Sequence, residues 1–128
     1  MLSISLKASM KDGYTVENTS RELAWNADEP KEIGGNNTGP TPTELLLSSL
    51  ASCKLITMRM YAQRKEWDLE SASVNLTITV QDDNKTQIEK SIQLQDDLTE
   101  DQKSRLIAIS GRCPVVKMLA DSVQFMLV

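Results

Sequence analysis

Thr41-Pro42-Thr43-Glu44-Leu45-Leu46-Leu47-Ser48-Ser49-Leu50-Ala51-Ser52-Cys53 is the clearest helix entry in the chain. Thr41 can cap the first turn. Pro42 suits the first helical position, where its missing N–H costs nothing, and Glu44 stands where a capping box places its carboxylate. From Leu45 to Met60 the segment is apolar or small in almost every direction, through Leu45, Leu46, Leu47, Leu50, Ile56, Met58 and Met60. A helix without a polar face is ordinarily buried on all sides. A chain of 128 residues can hardly surround it alone, so the pattern points to a dimer. Ser48, Ser49, Ser52, Lys54 and Arg59 interrupt the run, which excludes a membrane span.

Upstream lies a loop over Asp28 to Pro42, dense in breakers: Pro30, Gly34, Gly35, Asn36, Asn37, Gly39 and Pro40. A loop of that length in a small domain is usually functional or tied down by a partner. Before it, Leu2, Ile4 and Leu6 alternate with polar residues as in a strand with one buried face. Lys11-Asp12-Gly13 reads as a turn, and Tyr14 to Glu17 and Glu22 to Trp25 read as two more short strands. Downstream, Ser73 to Gln81 and Gln87 to Gln95 alternate on either side of Asp82-Asp83-Asn84-Lys85, which predicts a hairpin. Thr99 and Gln102 form a second capping box, opening a helix to about Ser110 that Gly111 ends. Cys113 then falls at the N-cap of a short helix begun by Pro114, and Ser122 to Val128 reads as a last strand. The order is that of an α+β fold in one domain, residues 1–128.

Composition narrows the chemistry. A net charge of -4 offers no long-range attraction to nucleic acid or to an anionic membrane. The N-terminus lacks the apolar core and cleavage site of a signal peptide, so a cytoplasmic protein is expected. There two cysteines are reduced or cycling more often than permanently bridged. With no histidine, no Ser-His-Asp or Cys-His relay can be built, and two cysteines fall short of a four-cysteine zinc site. No glycine-rich nucleotide cradle is present, and no cofactor or metal is expected. Catalysis must come from thiol, carboxylate, hydroxyl, lysine or arginine.

Three stretches together resemble the OsmC/Ohr family. The first runs from Glu32-Ile33-Gly34-Gly35 through Gly39-Pro40-Thr41-Pro42-Thr43-Glu44-Leu45 to Cys53, nine residues past the glutamate. Asp97-Leu98-Thr99-Glu100-Asp101-Gln102 is the second, and Arg112-Cys113-Pro114-Val115-Val116 the third. Their order and spacing match across most of the chain. The resemblance implies an OsmC-like fold, an intertwined homodimer, and thiol peroxidase chemistry on organic hydroperoxides. In that chemistry Cys53 is oxidised by the peroxide, Cys113 resolves the sulfenic acid as a disulfide, and a dithiol reductant restores both. Lys11 and Thr43 fill the places where the family's peroxidases carry an arginine and a glutamate. Glu44 matches a second carboxylate, found in less characterised branches.

The residues themselves suit this chemistry in part. A free thiol has a pKa of about 8.5, so the attacking sulfur needs help to ionise, and the leaving oxygen needs a proton or a cation. Candidate cations are Lys11, Arg21, Arg59 and Arg112, and Glu44 could orient one. Glu44 and Cys53 lie on opposite sides of one helix, so they cannot meet within it. Cys113, at a helix N-terminus, reads as the more acidic thiol, although the resemblance gives first attack to Cys53. Two other readings share the scaffold. One is a protein that binds an apolar small molecule, with the cysteines only lining its pocket. The other is a redox-responsive dimer without turnover.

Overall fold

The computed structural model describes residues 2–121 and 123–128. The chain divides into two compact units, residues 1–46 and 47–128.

In the first unit, strands β1 (Lys7–Met10), β2 (Val16–Ser20) and β3 (Leu23–Ala27) form an antiparallel sheet in that order. The turn between β1 and β2 is tight. Lys11 N donates to Thr15 O at 2.9 Å and Thr15 N to Asp12 O at 3.0 Å, with Gly13 at φ +58°. Tyr14 is absorbed into that turn, and so β2 begins two residues later than the alternation suggests. The expected strand over Leu2, Ile4 and Leu6 is displaced to Lys7–Met10, which lies opposite Val16–Thr19. Leu2 and Ile4 find no core and stay 74% and 77% exposed.

A single 3-10 turn at Lys31–Ile33 leads through the glycine-rich loop to helix α1 (Pro42–Arg64). The predicted capping box forms: Thr41 N donates to Glu44 Oε1 at 2.9 Å, and Glu44 N donates to Thr41 Oγ1 at 3.1 Å. α1 is not buried all round, contrary to expectation. One stripe at four-residue spacing, Leu50, Lys54, Met58 and Ala62, is buried, whereas Leu46, Ile56 and Met60 are exposed.

In the second unit, β4 (Ala72–Val80) and β5 (Thr86–Leu94) make the predicted hairpin, with Leu76 opposite Lys90 and Val74 opposite Ile92. Helix α2 (Glu100–Ser110) opens with both halves of its capping box in place, Thr99 and Gln102. Helix α3 (Pro114–Ala120) follows after Gly111 and Arg112, with Cys113 as N-cap. The core is Met58, Ala62, Leu69, Leu98 and Leu106, with Trp67, Val74, Ile92 and Leu94 packed against it. Tyr61 and Trp67 close one end edge-to-face, ring centres 5.6 Å apart.

The expected last strand does not form. Ser122 lies outside the described residues. Residues 123–128 hold no strand, and Phe125 and Met126 are 95% and 77% exposed. A strand needs a neighbour to receive its backbone hydrogen bonds, and no strand of the described residues pairs with the tail. The architecture is α+β: two small antiparallel sheets with three helices among the described residues. No helix of the described residues is long and apolar enough to cross a membrane.

Candidate functional site

Two thiols from distant parts of the sequence meet in the second unit. Cys53 projects from the fourth turn of α1 and Cys113 from the N-cap of α3, and the two side chains are close enough for Cys113 to act directly on the Cys53 thiol. Both are free thiols, Cys53 half-buried and Cys113 fully buried. The sequence sets the Cys113 side of this meeting locally. Gly111 and Arg112 end α2, and Pro114 starts α3 at once. Cys113 is thereby held in an extended conformation, at φ -67° and ψ 147°, between two helices.

Burial pushes the Cys53 thiol above its ordinary pKa. The Cys113 side chain acts in the same sense, through a hydrogen bond that favours the protonated form and through its charge. Two donors oppose them: the backbone N–H of Val115, which is the stronger, and the hydroxyl of Thr57, one turn along α1. The net direction is upward, so at neutral pH Cys53 rests as a thiol with two donors already in place for its anion.

The Cys113 side chain makes no hydrogen bond that caps α3, and the N–H of Val115 in the first turn of α3 acts on Cys53 on the other helix. Sequence reading missed Val115 and Thr57. Thr57 carried a signal, since four residues past Cys53 its hydroxyl lies on the same helix face.

The other two expected site residues make contacts of their own in the first unit. Lys11 Nζ lies 3.8 Å from Glu17 Oε1, both side chains about half exposed. Glu44 is exposed and completes the cap of α1. Neither makes a hydrogen bond or ion pair to a cysteine among the described residues.

A second buried ionisable group was not singled out from sequence. Asp28, 1% exposed, sits where β3 enters the glycine-rich loop. Its Oδ2 accepts from Thr38 Oγ1 at 2.6 Å, Thr15 Oγ1 at 2.8 Å and Thr38 N at 3.2 Å. Its Oδ1 accepts from Glu29 N at 2.8 Å and Asn36 N at 3.3 Å. The hydrogen bond from the Thr38 hydroxyl, aided by Thr15 and two backbone N–H groups, outweighs burial and holds this carboxyl far below the usual carboxylate range. The loop closes tightly around it. A Cβ at Gly35 would collide with the Glu29 carbonyl, and one at Gly39 with the Asn26 carbonyl. No cluster of the described residues has the cysteines and carboxylates to hold a metal ion.

A family model described as OsmC-like protein matches residues 34–128, which include both cysteines. Comparison with curated proteins returns no match. Among solved structures, the chain is similar to an OsmC-like protein of Mycoplasma pneumoniae, with a TM-score of 0.79 at 22% identity over 93% of this chain and 88% of that one. It is similar to an organic hydroperoxide resistance protein OsmC of Legionella pneumophila, with a TM-score of 0.65 at 20% identity over 91% and 88%. It also resembles the organic hydroperoxide resistance protein OhrB of Bacillus subtilis, with a TM-score of 0.62 at 18% identity over 91% and 89%. At these identities the likeness is one of fold.

Proposed function

This chain belongs to the OsmC-like protein family, and on that premise we propose that it is a peroxide-related stress protein in which Cys53 reduces an organic hydroperoxide and Cys113 resolves the product. The observation that carries the proposal is the contact between the two thiols, with the Val115 N–H directed at Cys53. Two of the similar structures are named organic hydroperoxide resistance proteins, which supports the substrate class.

The chemistry balances with these groups. The Cys53 thiolate attacks one peroxide oxygen, the O–O bond breaks, and the other oxygen leaves as alkoxide and takes a proton. Cys53 becomes a sulfenic acid. The Cys113 sulfur attacks it, expelling water and forming the disulfide. A cellular dithiol reduces that disulfide and is itself oxidised. Thiolate is scarce in the resting site, so ionisation limits the first step, and the Val115 N–H and Thr57 hydroxyl are the donors that favour it. Lys11 enters the proposal as the cation for the leaving oxygen and Glu44 as the carboxylate that orients it, as the family resemblance suggests.

The proposal takes the working form as a homodimer, with residues 1–128 as one domain of each protomer. Leu46, Ile56 and Met60 on α1 and the apolar tail from Val123 are exposed, and an apolar surface of this kind usually has a partner. A cytoplasmic setting suits a pair that must be re-reduced.

The test is a thiol count on the reduced protein before and after cumene hydroperoxide. Both thiols are expected to disappear together at one equivalent of peroxide per chain, and dithiothreitol is expected to restore them and sustain turnover. Reduced protein that consumes no peroxide in the presence of dithiothreitol overturns the reading.

A further inference from the structure

Lys54 occupies the buried stripe of α1, between Leu50 and Met58, with 6% of its surface exposed. An ammonium taken out of water normally has a carboxylate beside it, because an unpaired buried charge is costly. The ion pairs of the described residues do not include Lys54. Its Nζ donates to one backbone acceptor, the Ser110 carbonyl, at 3.3 Å. Ser110 ends α2, so this carbonyl and the helix dipole partly offset the charge, but an ammonium has three N–H groups and one carbonyl leaves two of them for a further acceptor.

The side chain lines a cleft of about 420 Å³ between α1, the β4–β5 hairpin and α3. Leu50, Leu76, Ile88 and Leu119 supply much of its wall. The other charged group there is Lys90. In the hairpin register Lys90 stands directly opposite Leu76, on the strand face that carries Ile88, Ile92 and Leu94. It therefore breaks an apolar stripe at the cleft, where an isoleucine or leucine would continue the pattern. The lining contains two ammonium groups, one deep and one exposed, and no carboxylate. An apolar recess of this size with convergent charge of one sign has the features of a small-molecule site.

We infer that this cleft binds an apolar monocarboxylate. The hydrocarbon chain lies along Leu50, Leu76, Ile88 and Leu119, and the carboxylate accepts from Lys54 Nζ, with Lys90 at the rim. Cys53 and Cys113 do not line the cleft, so the site goes beyond the thiol chemistry and stands or falls without it.

The experiment is calorimetric titration of the full-length reduced protein with decanoate below its micellar range, with 1-decanol as the uncharged comparator. Saturable binding of decanoate, one per chain, is expected, with 1-decanol weaker by roughly tenfold or more, the usual worth of a hydrogen bond to a charged group. Lys54→Met keeps the apolar stem and removes the charge. It is expected to weaken decanoate by a similar factor and leave 1-decanol unchanged. Ala120→Trp, on the exposed side of α3 at the cleft, obstructs the recess while keeping Lys54, and is expected to abolish binding even if Lys54→Met folds poorly. Equal affinity for the acid and the alcohol overturns the inference. So does decanoate binding that survives either substitution in folded protein, or no saturable binding because a second copy of the chain covers the cleft.

Discussion

Asp28 and Cys53 are both ionisable groups drawn wholly or partly out of water, one at a strand end and one within a helix, yet their environments drive them in opposite directions. Asp28 accepts five hydrogen bonds within 3.3 Å, and its charge is held so firmly that its pKa falls. Cys53 is offered two donors, Val115 N–H and Thr57 hydroxyl, against burial and a neighbouring thiol, and its pKa rises. The contrast separates structural from reactive use of the same physics. A saturated anion has nothing left to react with and ties a loop together, whereas an under-supplied thiol keeps its proton until chemistry demands it.

The strongest way to break the comparison is to remove each group. Cys53→Ser is expected to bring peroxide consumption down to the uncatalysed rate with little change in thermal stability. Cys113→Ser should consume one equivalent and leave a sulfenic acid that a dimedone probe captures by mass spectrometry. Asp28→Ala should do the reverse, lowering Tm by several degrees in a circular dichroism melt, because its partners in the loop lose their acceptor. Equal stability losses from the serine and alanine variants would erase the distinction.

Titration sharpens it further. A depressed carboxyl contributes stability that is whole above the usual carboxylate pKa of about 4 and is lost as pH falls below it. Acid melts of the wild type should therefore soften in that range, and those of Asp28→Ala much less. The raised Cys53 thiol works on rate in the other direction. Peroxide consumption should climb through neutral pH toward a midpoint above the ordinary thiol value of about 8.5. A thiol-specific absorbance titration of Cys113→Ala should show that midpoint moving down, since the neighbour that holds the proton is gone.

The smallest expected effect belongs to Thr57→Val. Losing one hydrogen bond to the thiolate should raise the Cys53 midpoint and slow the reaction at pH 7 by roughly fivefold, the value of an ordinary hydrogen bond. Unchanged kinetics would leave Val115 as the donor that matters.

Much of this molecule is written locally. Thr41-Pro42-Thr43-Glu44 and Thr99 with Gln102 set two helix starts through hydrogen bonds within four residues, and both form as read. The hairpin follows from period-two alternation in the same way. Leu2 to Leu6 alternates as well as any strand and the tail from Val123 is almost wholly apolar, but such patterns describe a surface and not the neighbour that completes it. The site divides along the same line. Cys53 and Cys113 are legible as residues, but which helix donates to which sulfur depends on packing between α1 and α3. Lys54 looks like a solvated interruption of an apolar run, and only the stripe through Leu50, Met58 and Ala62 reveals that it faces inward. Asp28 was hidden because its donors come from positions 15, 29, 36 and 38, and no short motif spans them.

The second sulfur and the donor aimed at the first ride on one short piece of backbone, Cys113 to Val115. A shift of that piece changes the reach of the partner thiol and the ionisation of Cys53 at the same moment. Ionisation and disulfide closure therefore behave as two readouts of a single moving part, and a substitution that loosens Gly111 or Pro114 should slow both steps together.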